Sequence, residues 1–357
     1  MYIPGKPIAD FNKLKNLFLY KSSVFGYRNT LFFSRGRDAL YVALKHLFKL
    51  NNTMRVWIPV YICRSVVDTI KECGLKHVYY DIDHFLKPKW KEISLEKDDL
   101  FIIVHFFGIS QDSTEIKKKL SNAKAILIED GAHTIPFIFY GSHGKVGDIA
   151  IFSLRKSLGV PDGGILVINR NIRNRSQEFL KLKGHNISFN KVLFMFAESF
   201  AFKFGINILG IKRYLKNNLF RNEKREIEGI SRQTLGLLSA MDFSEIARKK
   251  VNNYNKLTYY LKEIKEVHIP FTTLPSYSIP QVLPIWSSNA EKLVERLRSE
   301  GIEAYQWPGD ELPSDVNLHN FTGTREWVTK GIMLPLHHCL RNSHLERIAG
   351  KVRKALR

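Results

Sequence analysis

The sequence predicts an α/β fold: a large domain built on a mostly parallel mixed sheet flanked by helices, then a small C-terminal α+β domain. Three observations carry this. Short apolar runs alternate with helix-period segments through the first half of the chain. The runs are rich in Val, Ile, Leu and Phe and read as buried strands joined by helical crossovers. Past about residue 246 the strict alternation stops.

Each element has its own warrant. Arg37 to Leu50 places Leu40, Ala43, Leu44 and Leu47 on one helical face. Arg55 to Pro59 reads as a buried strand, followed by a helix through Val66, Val67 and Ile70. His77 to Ile82 and Leu100 to His105 are the next strands, then a Lys-rich helix around Ile116 and Leu120, and a strand from Ala125 to Asp130. Ile149 to Ser153 and Gly164 to Ile168 close the unit. The run from Val192 to Ile206 is strongly apolar, but Glu198 and Lys203 interrupt it and it is short for a membrane span, so a buried or interfacial helix is expected. Lys212 to Arg225 is strongly basic. A long helical pattern from about Leu235 through Ile246 and Leu257 links the domains. The remainder has a strand at Gln281 to Ile285, a helix from Asn289 to Glu300 and a terminal helix from about Ser343. The expected division is 1–245, with an atypical insert at about 175–230, and 246–357.

A chain of 357 residues with 44% hydrophobic and 25% charged residues has enough apolar content for a sizeable core. Its three cysteines, Cys63, Cys73 and Cys339, have neither metal-ligand spacing nor an even count for a disulfide framework. The N-terminus lacks the pattern of a secretory signal, so the cytoplasm is the expected compartment. With 55 Lys+Arg against 34 Asp+Glu, the net charge of +21 favours an anionic partner: nucleic acid, an acidic membrane surface or a phosphorylated substrate. A solvated basic surface accounts for it equally well.

Sites in open α/β sheets lie at the carboxyl ends of strands, and three such loops stand out. Ser34-Arg35-Gly36-Arg37-Asp38 precedes a helix, where free N–H groups can bind an anion or simply be capped. Glu129-Asp130-Gly131-Ala132-His133 follows a strand; a carboxylate there can hold a heterocyclic nitrogen protonated, or cap a helix. Gly147 to Leu158 ends near Asp162-Gly163-Gly164 and carries Lys156 in a loop close after a buried strand. Desolvation there would free its amine for attack on a carbonyl; the plain alternative is a solvated surface lysine.

Taken in order, these segments resemble the DegT/StrS-type sugar aminotransferases of pyridoxal-phosphate fold type I. The resemblance rests on Pro59-Val60-Tyr61, Val104-His105-Phe106-Phe107-Gly108, Ile128 to His133, Gly147-Asp148 with Phe152-Ser153 and Lys156, and Asp162-Gly163-Gly164. Gly301-Ile302, Trp307-Pro308 and Leu334-Pro335-Leu336-His337 extend it to the C-terminal part. It implies pyridoxal 5′-phosphate as cofactor, held by Lys156 as a Schiff base, with Lys156 also acting as acid and base. It further implies Asp130 at the pyridine nitrogen, His133 near the ring's phenolic oxygen, and Gly36, Arg37 and Ser153 at the phosphate. Arg232 is a looser match to an arginine that reaches a neighbouring subunit's site. His105 and His337 are candidate substrate contacts. Where the family commonly stacks an aromatic residue on the ring, this chain has Cys63, and Tyr61 is the candidate substitute.

The function expected is amination of a keto-sugar, nucleotide-linked, by a donor such as glutamate, in a homodimer. Nucleic acid is not an expected partner. Two other readings are a sugar dehydratase, against which Lys156 argues because such relatives carry histidine there, and a non-catalytic regulator or membrane-associated protein. For residues 192–225, packing at the protein's own dimer interface is favoured over an interfacial membrane anchor, since apolar runs are more often core.

Overall fold

The computed structural model describes residues 2–9, 14–16, 29–50, 54–169, 182, 184–210 and 226–356. The basic segment 212–225 and much of the expected insert lie outside the described residues. Seven strands form the main sheet: β1 (Thr30–Phe33), β2 (Arg55–Pro59), β3 (Lys76–Tyr80), β4 (Leu100–Val104), β5 (Ile126–Asp130), β6 (Ile149–Ser153) and β7 (Gly164–Ile168), in the order β1-β7-β6-β5-β4-β2-β3. From β3 to β6 neighbours are parallel; β7 runs antiparallel to both β6 and β1. This is the mostly parallel mixed sheet expected of fold type I.

Alternation along β6 and β7 divides the core between the two sheet faces. Ile149, Ile151, Leu166 and Ile168 join the core with Leu40, Ala43, Leu44 and Leu47 of helix α1 (Gly36–Leu50), the stripe read from the sequence. Ala150, Phe152, Ile165 and Val167 face the other way, onto Leu237, Leu238 and Ile246. Helices α2 (Arg64–Glu72) and α3 (Ser113–Ser121) make two of the crossovers. Helix α4 (Leu154–Ser157) is a single turn directly after β6. Lys156 therefore sits on a short helix rather than in the extended loop expected.

Helix α5 (Phe189–Phe204) matches the apolar run, ending on Gly205 in the left-handed conformation. The long helical pattern from Leu235 is two helices, α6 (Arg232–Ser239) and α7 (Phe243–Leu261). The break has a chemical reason: the Asp242 side chain accepts the Glu245 N–H and caps a new helix. The C-terminal part packs α8 (Ala290–Ser299), α9 (Thr322–Lys330) and α10 (Asn342–Leu356) around an antiparallel pair, β8 (Val282–Trp286) and β9 (Gly331–Pro335). The sequence pattern leaves β1 and α9 unread, and β9 appears there only as the Leu334-Pro335 motif.

Candidate active site

Register brings the site together. Val104 pairs with Asp130, Asp130 with Ile151, and Ser153 with Gly164, so the ends of β4, β5 and β6 line up at one edge. Phe33 also pairs with Gly164, which delivers the start of α1 to the same edge. Gly36 packs closely there: a Cβ would lie 3.0 Å from Phe152 O and 3.1 Å from Ser153 Cβ. The N-terminus of α1 thus abuts Ser153.

A cavity of about 480 Å³ opens at this edge, a size suited to a cofactor or small ligand. Gly36, Arg37, Cys63, Asp130, His133, Ser153 and Lys156, all singled out from the sequence, line it together. Arg35, Arg155, Trp307 and Glu311 line it as well and were not singled out.

Two chemical ends can be distinguished. At one, Asp130 is buried, and its carboxylate accepts a hydrogen bond from the Ala132 N–H at 2.8 Å. Burial raises its pKa, with the nearby Lys156 charge pulling the other way. At the other, Arg35 and Arg37 gather beside the α1 N-terminus and Ser153. Arg155 lines this end too, but is exposed to solvent. This end is cationic, which suits an anion.

Between them stands Lys156, with Nζ 3.3 Å from His133 Nε2. The Phe107 N–H donates to His133 Nδ1 at 3.2 Å. Burial, then the charge of Lys156, pushes the His133 pKa well down. A neutral ring whose Nδ1 accepts the Phe107 N–H carries its proton on Nε2. Phe107 reaches this position with φ 58°, in the left-handed region. Gly108 follows at φ 77°, where a Cβ would overlap Ile279 O at 2.1 Å.

Other candidates lie outside the cavity lining. Tyr61 is fully buried behind the wall, its ring 4.5 Å from Trp307 and 5.5 Å from Phe106, so it is not a stacking surface in the cavity. His105 is buried with both nitrogens engaged: Nδ1 accepts the Gln111 N–H, and Nε2 lies 2.8 Å from Glu129 Oε2. Burial pushes Glu129 up, but His105, Ser113 and the backbone at Gly147 outweigh it and hold the carboxyl at about 2. That pair braces the sheet. His337 is fully buried with Nε2 3.2 Å from Pro4 O, out of reach of a ligand in the cavity. Arg232 is exposed at the start of α6, away from the lining.

Two supports of the site were assigned no role from the sequence, although Asp162 stands in the Asp162-Gly163-Gly164 motif. Gln281 donates from Nε2 to Lys156 O at 3.0 Å and from its backbone N–H to Phe107 O at 2.7 Å. Asp162 is buried and accepts from the Ser231 N–H, the Ser231 hydroxyl and the Thr234 hydroxyl. It pins the Gly163-Gly164 turn to the start of α6.

A family model for the DegT/DnrJ/EryC1/StrS aminotransferase family matches residues 22–209, more than half of the chain. The chain belongs to this family. Solved structures agree on the fold of the aminotransferase. One is PseC from Helicobacter pylori, an aminotransferase involved in the biosynthesis of pseudoaminic acid (TM-score 0.71, 14% identity, 99% of each chain covered). Another is the aminotransferase TlmJ from Streptoalloteichus hindustanus (TM-score 0.69, 15% identity, 100% of this chain and 99% of that one). A third, from Bacillus subtilis, has PMP bound as cofactor (TM-score 0.66, 15% identity, 99% of this chain and 78% of that one). Among curated proteins, none matches the sequence significantly.

Proposed function

We propose that this family member is a pyridoxal-phosphate-dependent aminotransferase acting on a keto-sugar, with Lys156 as its catalytic lysine. One observation carries the reading: Lys156 and Asp130 line one cavity together with Arg35, Arg37 and Arg155. A buried carboxylate with a single backbone donor suits a protonated ring nitrogen, and the Arg37–Ser153 end suits a phosphate. The residues present therefore fit the cofactor.

When bound, the cofactor's pyridine ring supplies an electron sink for the bond broken at the amino-bearing carbon. Asp130 would hold the charge that keeps the ring nitrogen protonated. Gly36, Arg37 and Ser153 would hold the phosphate, and Cys63 and His133 would border the ring. Lys156 would be the residue that anchors the cofactor through Nζ, and its amine would be the group that carries the proton taken from the donor's α-carbon.

We further assign glutamate as amino donor, a nucleotide-linked keto-sugar as acceptor, the cytoplasm as compartment and a homodimer in which Arg232 completes the partner's site. The sugar is supported by the structural relatives named as sugar aminotransferases, and the nucleotide by the excess positive charge. Purified protein with the cofactor should absorb in the visible and lose that band on titration with L-glutamate. Lys156→Ala should lose turnover while retaining non-covalent cofactor binding. Wild-type transamination by that variant would refute the assignment.

A further inference from the structure

Helix α5 is anchored on one side and bare on the other. On the inner side, Ser199 and Ala201 are buried, and the Ser199 hydroxyl donates to Ala9 O at 2.7 Å. Val192, Met195 and Phe196 pack on one core and Phe202 on the other. On the outer side, Phe189 is 77% exposed, Leu193 57%, Phe200 46% and Phe204 60%. At 100° per residue these four project within about 60° of one another. Ile206 extends the stripe beyond the cap at 47% exposure. Five of the nine large exposed hydrophobics among the described residues lie in this one segment, and three of the other four are tyrosines with a polar tip.

We propose that this face of α5 docks on the surface of an anionic lipid bilayer. The helix is about 24 Å long at 1.5 Å per residue, too short to span hydrocarbon, and no helix among the described residues is long and apolar enough to cross. Lying in the interface, it would bury the phenylalanines and leave lysine stems at headgroup level. Lys203 is placed for that, its Nζ 5.9 Å from the Phe204 ring. The chain carries +21 overall, and the sequence following the helix has Lys212, Arg213, Lys216, Arg221, Lys224 and Arg225 against Glu223 alone. Such charge is attracted to an acidic surface. Area speaks against a second copy. The stripe offers about 570 Å², taking about 200 Å² per fully exposed large side chain, less than the roughly 800 Å² that a stable partner covers.

The experiment is flotation of the full-length holoprotein with phosphatidylglycerol/phosphatidylcholine vesicles, beside Phe200→Glu/Phe204→Glu and the single variant Phe189→Glu. The single variant protects against misfolding, since position 189 is the most exposed and a glutamate suits the first helical turn. The wild type should float at low salt and at least tenfold less at 0.5 M salt. Both variants should remain at the bottom with cofactor absorbance and oligomeric state unchanged. The proposal is overturned if the wild type stays at the bottom, or floats as well on phosphatidylcholine alone. It is also overturned if the variants float like the wild type, or if the substitutions dissociate an oligomer, which would make the face a contact between copies.

Discussion

Asp130 is the side chain whose surroundings are least complete without a ligand. It is buried at the cavity wall, accepts one backbone hydrogen bond, and burial pushes its pKa up. A cationic ring nitrogen would reverse that balance by favouring the carboxylate. Asp130→Asn is expected to bind cofactor yet lose activity by about 10²-fold or more, the scale of a removed electrostatic group. Steady-state rates beside a fluorescence titration of the cofactor check this, and near-normal rates would reduce Asp130 to a turn residue. The residues legible in the sequence, Gly36, Arg37, Asp130, Ser153 and Lys156, share a property: each follows a strand end within a few positions, so local pattern locates it. Arg155, Trp307, Glu311 and Gln281 reach the cavity or the lysine only through folding. Tyr61, His105 and His337 show the converse. They occupy motif positions, but side-chain direction and burial, invisible in spacing, turn them away.

At the scale of elements, α7 carries a feature no periodicity reveals. Lys250 lies on its buried face, fully enclosed, and its Nζ has no hydrogen-bond partner. Burial lowers its pKa from 10.5 to about 7, with Cys339 opposing weakly. The unfolded chain keeps this proton up to about pH 10.5, whereas the folded one releases it above about 7. The lysine's destabilisation is therefore full below pH 7 and fades as pH rises from 7 towards 10.5. Lys250→Met should raise Tm at pH 6.5 by several degrees and flatten the rise in stability between pH 7 and 9. Thermal unfolding across that range measures both, and a variant with unchanged pH dependence would show that the amine has found a partner. Strand and helix identities along the main sheet were readable because the buried runs are long and apolar. The four-residue β1, the turn at α4 and the break before α7 were not, being fixed by pairing with β7, by compact packing and by one capping carboxylate.

For the whole molecule, association is the open variable that the site itself raises. Arg232 stands exposed at the start of α6, which Asp162 ties to the Gly163-Gly164 turn beside Lys156. In the homodimer proposed above, Arg232 would complete the cavity of the other subunit. Light scattering of the holoprotein should report a dimer. Mixing Lys156→Ala with Arg232→Ala subunits should then restore activity, because one of the two sites in each hybrid is intact. An active monomer would exclude this arrangement.

The tie between Gln281 and the carbonyl of Lys156 has a consequence for protein engineering. Sequence pattern places a seam near residue 246, where one would cut to graft the C-terminal part of a relative. Such a graft would remove the side chain on which the lysine's carbonyl hangs, together with the backbone donor to Phe107. The interchangeable module therefore begins after Gln281. A chimera joined at 246 should express and fold yet seat its lysine poorly, whereas one joined beyond 281 keeps the tie between Gln281 and Lys156.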